Sequence, residues 1–349
     1  DICIQVKSHL KKNNSSFTQQ VKSEVMARQR ALNEYDLLKV FATFLVVIGH
    51  VTIRYNTTSY PALNTTVPQI ITQSIYLFHM PLFMALSGAV YKLGELKYNQ
   101  FLSFVRNKAQ RLIIPYFFVG LFFLIPSICL FQVQNNSEIF KLIGNLLLGR
   151  DCRHLWYLLA LFEILVAHYI LTKWSKIDLA FLLVESIIMS TFYSNYFDDG
   201  LFSINMAVRY YPYFITGALI AQRKAIPTPC FYALSAMLIA LIIKINHYAQ
   251  IDILLSIILP IPIIVLFIVE ARLVMNKYTF DKTWFRIILE YSFSIYLFHV
   301  PIIYIFDKVV PFVNLPVSIT TTIIVAILAS MFIALIIRLL HGRRFIGEK

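Results

Sequence analysis

The residues best able to do chemistry lie in the first long hydrophobic stretch, DLLKVFATFLVVIGH (Asp36–His50). A cation, Lys39, opens it and an imidazole, His50, closes it. Ten residues separate the two, which in a helix is about 16 Å of rise and about half a hydrocarbon core. Ionisable groups at membrane depth are costly and usually functional. Neutral imidazole takes a proton near neutral pH, so His50 is the candidate base or nucleophile and Lys39 its cationic partner. Gly49 opens room beside the ring.

Other polar groups fall inside apolar stretches. SIYLFHMP (Ser74–Pro81) returns as SIYLFHVP (Ser294–Pro301), each octet holding a histidine, His79 or His299, two residues before a proline. Either aromatic-rich spans reuse a small alphabet, or both imidazoles serve the site. In both cases they need polar partners, because an unpaired polar group in hydrocarbon is expensive. Ser87 and Gly88 in FMALSGAV (Phe83–Val90) allow close helix packing or a break. Arg106, Lys108 and Arg111 form a basic run that either grips phosphates or simply flanks a span. His154 and Trp156 sit at the outer interface, and Glu163 lies deeper, in need of a partner or a proton. Arg209 opens another span, where it either snorkels to headgroups or faces the site. His168 and His247 read as structural.

The elements that must position these groups are membrane helices. The chain is 58% hydrophobic and 14% charged, with mean hydropathy +0.70. Soluble domains run at about 45–50% apolar and about 25% charged residues. The expected fold is therefore all-α, a polytopic membrane protein of about ten transmembrane helices. They are placed near 36–53, 68–91, 111–133, 155–172, 177–194, 205–222, 229–247, 251–271, 287–306 and 316–339. The expected domains are a polar cytoplasmic tail at 1–35, a transmembrane domain at 36–340 and a basic cytoplasmic tail at 341–349.

The net charge of +13 is mostly topology. Cations collect before the first span, between spans two and three, and after spans four, six, eight and ten, whereas alternate loops are poor in them. This places both termini in the cytoplasm and argues against nucleic acid. The exception is 134–154, read as an outer loop with Lys141, Arg150 and Arg153, able to face an acidic or sugar-bearing ligand. The four cysteines show no metal-ligand spacing, so no metal is expected. The first 30 residues lack a signal-peptide apolar region. Asn56 and Asn64 match glycosylation acceptors, a three-residue pattern common by chance.

In order along the chain, these residues resemble the integral-membrane acyltransferases of the acyltransferase-3 type. The resemblance runs from Asp36 to about Pro301. Lys39 and His50 match a basic residue, ten positions and a histidine. Phe83, Ser87 and Gly88 match a phenylalanine-rich Ser-Gly motif. Arg106, Arg111, Pro115 and Tyr116 match a basic run leading to Pro-Tyr, and His154–Trp156 a His-Leu-Trp segment. Pro212, Phe214 and Gly217 match a further segment, as do Ser292, Tyr296, His299 and Pro301. Lysine at 39 replaces the commoner arginine.

The resemblance implies transfer of an acyl group, most often acetyl, from cytoplasmic acyl-CoA to a hydroxyl of a cell-surface or lipid-linked sugar. It implies acetyl-CoA as co-substrate and a bacterial cell membrane as the setting. Lys39, Arg106, Lys108, Arg111 and Ser87 would hold the donor, and His154, Trp156, Arg209, His299 and His79 would line the acceptor side. The rival from another class is a transporter or exporter of a lipid-linked sugar or polysaccharide. No glycine precedes a lysine, so no Walker A motif supports ATP-driven export.

Overall fold

The computed structural model describes residues 34–55, 66–95, 100–132, 136–150, 152–196, 201–222, 253–277, 283–310, 312 and 314–348. Among the described residues every regular element is a helix. In order they are α1 Glu34–Arg54, α2 Thr66–Gly94, α3 Phe101–Val119, α4 Ile125–Gln132, α5 Asn136–Leu148 and α6 Trp156–Tyr169. Then come α7 Leu179–Tyr196, α8 Ile204–Gln222, α9 Ile253–Ile258, α10 Pro260–Lys277, α11 Thr283–Val309 and α12 Leu315–Leu339. A π-helical turn, Gly120–Leu124, joins α3 to α4, and a 3-10 turn, Arg153–Leu155, leads into α6.

Seven helical stretches among the described residues are long and apolar enough to cross a membrane. About ten were expected. The difference lies in α7, whose apolar part is short, in α8, which carries Arg209 near its start, and in 229–247, outside the described residues. Helix α3 begins at Phe101, so Arg106, Lys108 and Arg111 lie on the helix rather than ahead of it. The segment read as an outer loop at 134–154 holds a helix, α5. Ile139, Leu142, Ile143 and Leu146 recur there at helical spacing, and Leu142, Ile143 and Leu146 pack into the core.

One apolar core joins α1, α2, α3, α6, α8, α10 and α11. Large apolar side chains also face outward, among them Phe122, Phe181, Ile188, Leu328 and Phe332. That pattern suits lipid rather than water. The tightest seam is between α2 and α8. A Cβ on Gly88 would lie 1.9 Å from the Phe214 carbonyl oxygen, and one on Gly217 would lie 1.8 Å from that of Ala85. Each glycine receives the other helix's backbone, so of the two meanings of the Ser-Gly motif the packing one holds.

Candidate active site

Three imidazoles, from α1, α11 and the 3-10 turn before α6, meet in the core. Ring centroids of His50 (α1) and His299 (α11) are 4.9 Å apart, those of His154 and His299 5.1 Å, and those of His50 and His154 6.4 Å. His154 comes from the 3-10 turn before α6 and is buried, as is His299.

Backbone carbonyls set the tautomers. A carbonyl only accepts, so the ring nitrogen facing it carries the hydrogen. His50 Nδ1 lies 3.0 Å from Val46 O, and His299 Nδ1 lies 2.7 Å from Tyr296 O and 3.0 Å from Ile295 O. Their Nε2 atoms are then the lone-pair nitrogens. His154 is reversed, with Nε2 donating to Leu297 O at 3.0 Å. Among the described residues His154 Nδ1 and His299 Nε2 have no hydrogen-bond partner. The cluster therefore holds proton-accepting nitrogens on neighbouring rings.

Sequence explains much of this placement. Pro301 has no amide hydrogen to give Leu297 O, four residues earlier, and His154 supplies one. The Tyr296 hydroxyl donates to the His154 carbonyl, so α11 holds residue 154 by ring and by backbone. On α1, a Cβ at Gly49 would lie 3.1 Å from Ile75 and 3.2 Å from the Tyr76 ring. The space beside His50 is thus taken by Tyr76, whose ring centroid is 6.0 Å from the imidazole. The repeated octets do the same local job, since His79 Nδ1 donates to Ile75 O as His299 does to Ile295 O. Only His299 joins the three-ring cluster; His79 packs on Tyr76 at 4.8 Å.

A cavity of about 360 Å³ opens near the start of α1. Lys39, Lys108 and Arg111 line it together with Asp36, Glu290 and Glu348. Its carboxylates are held: Asp36 by Lys39 at 2.7 Å, and Glu290 and Glu348 by Arg338 at 2.6 Å. The segment after α12 folds back to form part of this wall, with Ile346 buried and Gly347 (φ +72°) against the Arg111 carbonyl. Position 347 takes a left-handed backbone beside another chain segment, and glycine meets both demands.

Part of the cavity lining is aromatic. Phe83, Tyr157 and Tyr296 line it, and Ser87 Oγ is 2.9 Å from the Tyr157 hydroxyl. Tyr296 belongs to both places, lining the cavity and packing edge-on to His154 at 5.7 Å and tilted against His299 at 6.1 Å. Sequence reading had Tyr296 only as part of a motif and did not single out Tyr157; both have a tyrosine on an apolar helix face as their signal.

Of the other expected site residues, Lys39, Lys108, Arg111 and Ser87 gather at this cavity. Arg106 is exposed on α3 and is not among the lining residues. Trp156 packs on Tyr210 at 4.9 Å, and Arg209 is exposed on α8. His168 is partnered by the Tyr211 hydroxyl at 3.0 Å, whereas His247 lies outside the described residues. Among the described residues no group of three or more His, Cys, Asp or Glu is arranged to hold a metal ion.

Residues 32–339 match a family described as an acyltransferase domain. The nodulation protein NolL of Mesorhizobium japonicum is 26% identical over 190 residues, which cover 54% of this chain and 47% of NolL. The match thus spans about half the length of that curated relative. No solved structure matches.

Proposed function

Because the chain belongs to the acyltransferase-3 family, we propose that it moves an acyl group, acetyl in the first instance, from cytoplasmic acyl-CoA to a hydroxyl of a surface or lipid-linked sugar. The observation that carries this reading is the linked pair of sites. The cavity that Lys39, Lys108 and Arg111 line is also lined by Tyr296, and Tyr296 adjoins the imidazoles. Lys108 and Arg111 meet the donor's phosphates there, with Lys39 beside them, while Asp36 is paired by Lys39, and Glu290 and Glu348 share Arg338.

A thioester is activated already, so the reaction needs a nucleophile more than it needs a better leaving group. The acceptor oxygen bonds to the thioester carbon, the carbon–sulfur bond breaks, and the CoA sulfur leaves as thiolate. His50 Nε2 takes the hydroxyl proton as the attack proceeds and returns it to the sulfur or to water. The Nδ1 hydrogen bond to Val46 O keeps that nitrogen in the accepting form. The alternation of cationic loops supports placing both termini and the cavity mouth in the cytoplasm.

Purified full-length chain in detergent tests the reading. An enzyme releases CoA thiol from acetyl-CoA and acetylates an added sugar. If no thiol is released while a lipid-linked sugar crosses a vesicle wall in the protein's presence, the transporter reading replaces this one.

A further inference from the structure

Beyond the imidazoles, at the ends of α1 and α11, a partly buried ion pair leaves one carboxylate oxygen unpartnered among the described residues. Arg54 Nε bonds Asp307 Oδ2 at 2.8 Å. The Asp307 side chain is 7% exposed, and among the described residues its Oδ1 has no hydrogen-bond partner. The Arg54 guanidinium lies 4.9 Å over the Tyr304 ring and is itself 28% exposed. Arg54 follows His50 by four residues on the same helix face, about 6 Å along the axis. Tyr76, 38% exposed, stands beside the His50 ring.

From these observations we infer that Arg54, Asp307 and Tyr304 form a subsite for the ring hydroxyls of a neutral sugar. The inference rests on the acyl-transfer reading and supplies its acceptor side, which the sequence had sought at Trp156 and Arg209. A carboxylate oxygen without a donor is completed by a hydroxyl hydrogen. The remaining guanidinium hydrogens meet a hydroxyl oxygen, and the aromatic faces suit the apolar face of a pyranose. Asp307 neutralises Arg54, so an anionic headgroup is a poor fit and an uncharged polyol a good one. A ring seated here points a neighbouring hydroxyl along α1 toward His50.

Saturation-transfer NMR with full-length protein tests this directly, using methyl glycosides of glucose, galactose, mannose and N-acetylglucosamine as probes and no acyl-CoA. Wild type should bind at least one of them, and Asp307→Asn and Arg54→Lys should each weaken that binding by about tenfold or more. The KM for acetyl-CoA should stay unchanged in both. Reversing the pair, Arg54→Asp with Asp307→Arg, keeps a stabilising ion pair but inverts its polarity toward the ligand. Glycoside binding restored to the wild-type level by that reversal would make the pair merely structural and overturn the subsite. So would wild type that binds none of the glycosides, or single variants that bind as wild type does. Glycoside binding without any CoA release would instead overturn the acyl-transfer reading and leave the subsite standing.

Discussion

His154 stands in for the amide hydrogen that Pro301 lacks. Its Nε2 donates to Leu297 O, the carbonyl an unbroken α11 would have paired through residue 301. One imidazole is thus fixed in tautomer and direction by a proline on another helix. The aromatic Tyr296 closes the same clasp from the other side.

Pro301→Ala should undo that arrangement. Alanine restores the intrahelical bond and improves helix propensity by up to about 3 kcal/mol, so the thermal midpoint in detergent should hold or rise. His154 must then share Leu297 O with the restored amide, which loosens its hold on the ring, so kcat should fall while the KM for acyl-CoA changes little. An unchanged kcat would mean that the clasp does not matter to turnover.

Replacing His50 should silence the protein without unfolding it. His50→Gln keeps hydrogen-bonding capacity and loses basicity, and a general base contributes about 10²–10⁴ in rate. Acetyl-CoA turnover and melting temperature, measured together, check this. Substantial turnover by His50→Gln would remove the imidazole from the chemistry.

The three cations of the α3 run should separate cleanly. Lys108 and Arg111 line the cavity and Arg106 does not. Charge-assisted contacts are typically worth about 1.5–3 kcal/mol, so Lys108→Ala and Arg111→Ala should each raise the KM for acyl-CoA about tenfold or more. Arg106→Ala should leave it near wild type. Equal effects of all three would point to surface charge rather than contact.

At the edge of the membrane domain Glu95 bonds Lys92 at 2.7 Å and Lys173 at 3.3 Å, tying the end of α2 to the end of the α6 segment. Burial pushes its carboxyl up, but the two lysines outweigh this and hold it below the usual carboxylate range. A carboxyl lowered on folding adds stability above its unfolded value and loses it as pH falls through the folded one. Glu95→Gln should therefore melt lower than wild type near neutral pH, and the gap should close on acidification below the ordinary glutamate range. A gap that persists in acid would rule out the charge as its source.

How much of this was legible beforehand differs by feature. Helical class followed from composition, because long apolar runs leave no other way to satisfy backbone groups in lipid. The cations of the cavity were legible in part, since Lys39 opens the first apolar stretch and Lys108 and Arg111 belong to one basic run, of which Arg106 stays outside the lining. That His50, His154 and His299 share one site was implied only by the family resemblance, because 249 positions separate the first from the last and spacing along one helix says nothing of another. His154 was assigned to the interface from its neighbour Trp156, yet it turns inward to a carbonyl that Pro301 leaves open. Helix α5 was missed for a different reason: the cations Lys141, Arg150 and Arg153 suggested a loop, although an apolar stripe was already there.

The Gly88–Gly217 seam bears on how this chain would behave under saturation mutagenesis. Neither position admits a methyl group without striking the opposite backbone, and overpacking of that kind costs about 1–3 kcal/mol or more. A screen scoring only lost product would rank Gly88 and Gly217 beside His50, and it would do so just after Ser87, a cavity residue one step along the chain. Scoring membrane insertion in parallel would sort the three, with the glycines failing both assays and His50 failing one. Fasteners and machinery can occupy adjacent letters of a single motif.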